Sequence, residues 1–275
     1  MSTELFAVGA VATEGPALDP GAVLTVVAAL GFASLLGAVG VVLFYLLRYR
    51  NAVLAAPYRK RWRYLAVGIG AIGVYAVAGL AETVVAGPRL SEFAHVFRLG
   101  ATLFAFVFTA VAVRAMYRTA TGDRGALAGR RLPARAVPAT VGAVVAAWWL
   151  AYLFGPPALL AAVETVGLAG AVTYTLVFAV ATVREQEGTS IAAVTRHVTP
   201  ALVAFAGVVV AEQVLRYGFG AAVAAAGVAL VGRVLVAAFL FATAVALRQQ
   251  GGEVSRLYDP TTYRGPRTSA AEADD

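Results

Sequence analysis

The chain has 275 residues, of which 60% are hydrophobic and 13% charged, and its formal net charge is +7. A soluble domain carries about 25% charged residues, so this composition excludes an ordinary water-soluble globule. Cysteine is absent, which excludes a disulfide framework and thiolate metal sites, and the basic residues gather in short loops between apolar runs, a pattern of membrane topology and not of nucleic-acid binding.

Residues 1–21 carry only Glu4, Glu14 and Asp19 as charges. They lack a basic n-region, so the chain is expected to begin with an extracellular segment and not with a cleavable signal peptide. A membrane span needs about 20 apolar residues. Seven segments qualify in order: Ala22–Leu47, Arg63–Ala86, Ala94–Tyr117, Val137–Gly155, Pro157–Val183, Thr199–Tyr217 and Gly220–Leu247. Gly155-Pro156-Pro157 reads as a tight turn between the fourth and fifth, because proline stops one helix and suits the first turn of the next. Tyr217-Gly218-Phe219-Gly220 reads as an equally short break between the sixth and seventh. The expected fold is an all-α integral membrane protein, a seven-transmembrane helix bundle over residues 22–248. Residues 249–275 read as a flexible cytoplasmic tail.

Eighteen of the 22 basic residues lie in the loops after the first, third and fifth segments and in the tail; Arg89, Arg98, Arg216 and Arg233 do not. Positive charge marks the cytoplasmic side, so the N-terminus is expected outside and the C-terminus inside. This places the chain as a multi-pass protein of a prokaryotic plasma membrane, with the bilayer as its first partner.

A charge in the bilayer core costs roughly 3 kcal/mol on insertion scales unless it faces protein or water. The charges within or beside the spans are Glu82, Glu92, His95, Arg98, Glu164, Glu212, Arg216 and Arg233, and the assigned topology puts Arg233 near mid-depth and the others toward the extracellular side. Glu164 lies about 10 Å into its helix at 1.5 Å per residue. Glu212 and Arg216 form an i, i+4 pair. Glu82, Glu92 and Arg216 fit ion pairs at helix ends in the headgroup region, whereas Glu164, Glu212 and Arg233 are placed for an inward role. The candidate ligand or ion-pair network is therefore Arg233, Glu212, Glu164, Arg98, Glu82, Arg216 and His95. Either a polar cavity or a structural network accounts for it.

His95 and His197 fall at opposite ends, roughly 30 Å apart across the bilayer, which excludes one bis-histidine heme. No metal-ligand set, phosphate loop or nucleophile with a defined partner is present, so an enzyme is disfavoured; Glu164 or Glu212 as a general base is the one route to such chemistry. Trp148 and Trp149 read as interfacial or packing residues. Ala33 with Gly37, and Gly167 with Ala171, have small-xxx-small spacing for close helix contact.

Three short motifs resemble the microbial (type I) rhodopsins. Arg98-Leu-Gly-Ala-Thr-Leu-Phe104 is similar to the middle of that family's third helix, Arg196-His-Val-Thr199 resembles the start of the sixth helix in haloarchaeal pumps, and Tyr174 to Val183 resembles the fifth. The resemblance implies a seven-helix fold with retinal held as a Schiff base on a helix-seven lysine. This chain departs from it there. Lys60 is the one lysine and lies in a loop; Arg233 or Ala237 stands at the lysine position, depending on register, and Ala101 stands at the counterion position. A guanidinium stays protonated and does not form the linkage. Val203, Ala206 and Gly207 stand where helix six of the family presents aromatic residues to retinal. These departures imply an opsin-like protein without covalent retinal, acting as a non-photochemical sensor or as the partner of another membrane protein or of its own copies. Transport of a small ion or solute, and noncovalent binding of retinal, another isoprenoid or a lipid, are the alternatives.

Overall fold

Each apolar segment forms a helix in the computed structural model, which describes residues 20–52, 56–84, 88–122, 127 and 136–257. The helices are α1 Pro20–Ala52, α2 Ala56–Val84, α3 Pro88–Thr121, α4 Ala136–Phe154, α5 Pro157–Glu185, α6 Ser190–Gln213 and α7 Ala222–Leu257, with a π-helical turn Val214–Gly218 after α6. Six helices are long and apolar enough to cross a membrane; in α4 the described apolar stretch, Gly142–Phe154, is shorter. No strand occurs among the described residues. The expectations for residues 1–19 and 258–275 lie outside them, as does the side chain of Glu92.

The helix ends follow local chemistry. Pro157 opens α5 directly after Pro156, and the Gly155 N–H donates to the Ala151 carbonyl at 2.9 Å, so the predicted tight turn is present. Helix α6 begins at Ser190, before the predicted Thr199, because the Thr189 hydroxyl accepts from the Ala192 N–H at 3.3 Å and caps it. Pro200 lies inside α6 and cannot donate to its ladder. On α7 the Thr243 hydroxyl sits 2.9 Å from the nearby His197 carbonyl. Helix α7 runs on to Leu257, past Arg248 where the apolar run stops. Between α6 and α7 the Phe219 N–H reaches back five residues to the Val214 carbonyl at 3.2 Å, and Gly220 turns the chain at φ +64°.

Helix order in space differs from a simple ring of seven. Neighbouring pairs are α1–α2, α2–α3, α3–α5, α5–α6, α6–α7 and α7–α1, which close a ring of six. Helix α4 packs on α5 from outside that ring. The predicted close-contact pair Ala33 and Gly37 is exposed, and a Cβ on Gly37 would meet nothing within 4 Å. Helices α2 and α3 meet instead at Gly68, which faces Thr109. Gly167 does face neighbours, Leu103 of α3 and Val144 of α4.

The centre of the ring is aromatic. Tyr75 of α2 meets Phe205 of α6 edge-on at 5.0 Å, Phe205 stacks on Phe106 of α3 at 5.5 Å, and Phe32 of α1 leans on Tyr75 at 5.8 Å. Such pairs add about 0.5–1.5 kcal/mol each beyond burial. This corrects the expectation that small residues of α6 line the interior. Val203 and Gly207 are exposed on the outer face, Ala206 is buried, and Phe205 supplies an aromatic wall. One helical position turns a side chain by about 100°, so the motif alignment put two residues on the wrong face.

The end where α1 finishes and α2 begins is tied together simply. Trp62 donates to the Leu46 carbonyl at 3.2 Å, and the Tyr117 hydroxyl meets the Glu185 carboxylate at 2.9 Å. His197 is exposed, and His95 lies on the first turns of α3, at the opposite end.

Candidate functional site

Consecutive helices alternate in direction, so the C-termini of α2, α4 and α6 meet the N-termini of α3, α5 and α7 at one end. The polar residues lie on those termini: Glu82 near the end of α2, His95 and Arg98 early in α3, Glu164 early in α5, Glu212 at the end of α6, Arg216 in the π turn. Arg233 lies deepest, eleven residues beyond Ala222, or roughly 16 Å along α7.

Six of the seven predicted residues join into one chain of contacts. Arg98 is buried and donates from Nε to Glu82 at 2.8 Å. His95 Nδ1 lies 3.1 Å from the other Glu82 oxygen and 3.2 Å from Arg98 Nη2. Glu212 is shared by three guanidiniums: Arg216 at 3.1 Å, Arg98 at 3.8 Å and Arg233 at 3.8 Å. The Arg216 contact is a hydrogen bond; the other two are ion pairs beyond hydrogen-bond reach. Glu82 therefore does more than cap a helix in the headgroup region, since it grips the buried Arg98. Arg216, with a side chain 39% exposed, sits at the rim.

Aromatic faces complete the cation environment. The Arg98 guanidinium carbon is 5.8 Å from the Tyr75 ring centre, and that of Arg233 is 3.9 Å from the Phe32 ring centre. Phe32 reaches this position because α2 has glycine at Gly79: a Cβ there would collide with the Phe32 ring.

Glu164 is the seventh residue and stands apart. Its carboxylate accepts from Trp148 Nε1 at 2.8 Å and from the Gln213 amide at 2.6 Å. The Thr165 hydroxyl donates to the Gln213 carbonyl oxygen at 2.7 Å, and Tyr152 stacks on Trp148 at 5.8 Å. Trp148 is thus more than the interfacial or packing residue its sequence context suggests, and Gln213 is a site residue that no motif marks. The available signal was a polar amide next to Glu212 in an otherwise apolar run. Tyr75 was also missed, although it lies two helical turns before Glu82 and so on nearly the same face.

The Arg98–Glu212–Arg216 contacts form a bar across the mouth of the helix ring, with a cavity on each side. One, of about 320 Å³, lies toward α4 and α5 and is lined by Tyr75, His95, Glu164 and Gln213 besides the bar. The other, of about 430 Å³, lies toward α1 and α7 and is lined by Thr25, Phe32, Glu82 and Arg233 besides the bar. A third, apolar groove of about 580 Å³ runs outside the ring between α2, α3 and α4, along Val74, Phe104, Phe108 and Trp149. Among the described residues no group of three or more His, Asp or Glu side chains is arranged to hold a metal ion.

Fold and site together define an all-helical, multi-pass membrane protein with a divided polar mouth at one end of its helix ring. No protein-family model, curated protein or solved structure matches the chain.

Proposed function

We propose that the protein is an opsin-like membrane protein without covalent retinal, acting as a non-photochemical sensor whose polar mouth opens to the outside of a prokaryotic cell. In this reading the N-terminus is extracellular, the C-terminus is cytoplasmic, and the basic loops and tail face a cytoplasmic partner. The observation that carries it is the state of Arg233. It lies at or within four positions of the place of the retinal lysine in the resembling family, stacked on Phe32 and paired with Glu212. Tyr75, Phe205 and Phe106 occupy the centre of the ring beneath it. A permanently charged guanidinium above a filled aromatic core supports ligand sensing at the mouth over photochemistry. The apolar groove beside α4 favours a second reading, noncovalent binding of retinal or another isoprenoid there. Transport has less support, because both polar cavities open at the same end.

Expression with added all-trans-retinal, purification and a visible absorption spectrum test this. The sensor reading expects no visible band and no isoprenoid in an organic extract. A visible band that survives acid denaturation as a protein adduct would sink it; extractable retinal would favour the second reading.

A further inference from the structure

The cavity toward α4 and α5 is bipolar. On its bar side it is lined by the guanidiniums of Arg98 and Arg216, and on its α5 side by the Glu164 carboxylate. The protein uses up neither sign. A guanidinium has five N–H donors; Arg98 gives one to Glu82 and at most one to His95, and Arg216 gives one to Glu212. A carboxylate has about four lone-pair sites; Glu164 uses two, for Trp148 and Gln213, and both of those donors are neutral.

A second observation points to a ligand. Tyr75 lines the same cavity, is only 2% exposed, and its hydroxyl has no hydrogen-bond partner among the described residues. Phe32 and Phe205 pack against its ring and hold it in place. A buried hydroxyl left unmet is unfavourable, and this one can either donate or accept. The cavity is also walled by apolar side chains, among them Leu99, Leu160 and Val209. At about 320 Å³ it is at the small end of ligand pockets, which join apolar walls to a few placed polar groups.

From these observations we infer that the cavity binds a small zwitterionic amino acid, its ammonium on Glu164 and its carboxylate on Arg98 and Arg216, with the Tyr75 hydroxyl supplying a further hydrogen bond. An ion of one sign would meet like charge on one wall, whereas a zwitterion meets opposite charge at both ends. The apolar walls admit a short aliphatic side chain. The inference names the ligand of the sensor proposed above and rests on that reading for what binding would signal.

The test uses the full chain in phosphatidylcholine nanodiscs, titrated with glycine, L-alanine or L-valine, and with propylammonium chloride or sodium propionate as single-charge controls, all at one fixed ionic strength. The expected result is a saturable rise in unfolding temperature of about 2–4 °C with at least one amino acid and no rise with either control. Without ligand, Tyr75→Phe is expected to unfold at the wild-type temperature or above, because the hydroxyl it loses has no partner; its apparent Kd for the amino acid should be about tenfold weaker. Glu164→Gln should abolish the response, and Arg184→Gln, at an exposed site on α5, should keep it. No response to any of the three amino acids, an equal response to either control, or a wild-type Kd in Tyr75→Phe would overturn the inference. Should Glu164→Gln fail to fold, Tyr75→Phe decides: the tenfold loss sustains the inference and an unchanged Kd overturns it. A retinal pigment would remove the sensor reading and leave the amino-acid result standing.

Discussion

The two sides of the Arg98–Glu212 bar bury ionisable groups at one end of the same bundle and satisfy them differently. On the α4–α5 side, Glu164 accepts two short hydrogen bonds from neutral donors, Trp148 and Gln213, and no described arginine pairs with it. On the α1–α7 side, Arg233 has a ring face at 3.9 Å, a carboxylate at 3.8 Å and no hydrogen bond among the described residues. A carboxyl group can be buried in either of two protonation states, whereas a guanidinium has one. Among the described residues the Glu164 carboxylate is therefore met by hydrogen bonds, while the buried Arg233 Nε has no partner. Equal burial does not mean equal satisfaction.

The strongest way to break this comparison is to remove the bar. Glu212→Gln takes away the carboxylate shared by three arginines and leaves both compartments with uncompensated cations. It is expected to cost about 3–5 kcal/mol of stability, the scale for breaking a buried pair, measured by unfolding in mixed micelles with a graded denaturing detergent. A loss under about 1 kcal/mol would mean that water already screens the arginines and that the bar is not structural.

An intermediate effect is expected from Trp148→Phe, which removes one donor to Glu164 and trims the buried ring. The expected cost is about 1–3 kcal/mol, from a buried acceptor left short of a partner. The change should stay on its own side, so its cost should add to that of Arg233→Gln within about 0.5 kcal/mol in the double variant. A larger departure from additivity would show that the two compartments act as one.

The smallest effect is expected at the rim. Arg216→Gln removes a side chain 39% exposed and one hydrogen bond to Glu212, and partly exposed ion pairs contribute about 0–1 kcal/mol. The loss should shrink further as salt is raised from low to molar concentration, because exposed charge is screened. A salt-independent loss comparable to that of Glu212→Gln would place Arg216 inside the network and not at its edge.

Much of this arrangement was legible in the chain before any coordinates. The seven apolar runs, the proline turn at Gly155-Pro156-Pro157 and the gathering of charge toward one end all follow from segment lengths and turn chemistry. The grouping of Arg233, Glu212 and Arg98 follows from their all lying in the half of their helices nearer that end. The partners of Glu164 did not follow. Trp148 lies sixteen residues earlier on another helix and Gln213 forty-nine later, and nothing local links them. The face of α6 did not follow either: Phe205, not Val203 or Gly207, points into the ring.

The physical reason separates axial position from rotation. Depth along a helix is counted at about 1.5 Å per residue, and lipid penalises misplaced charge strongly, so the sequence by itself determined that this is a helical membrane protein and at which end its charges collect. Rotation about each helix axis has no such marker, because lipid and protein interior are almost equally apolar and association is decided by side-chain fit. Only the tertiary structure decided that α4 stands outside the ring, that Gly79 admits Phe32 beneath Arg233, and that one bar of arginines and glutamate divides the mouth in two.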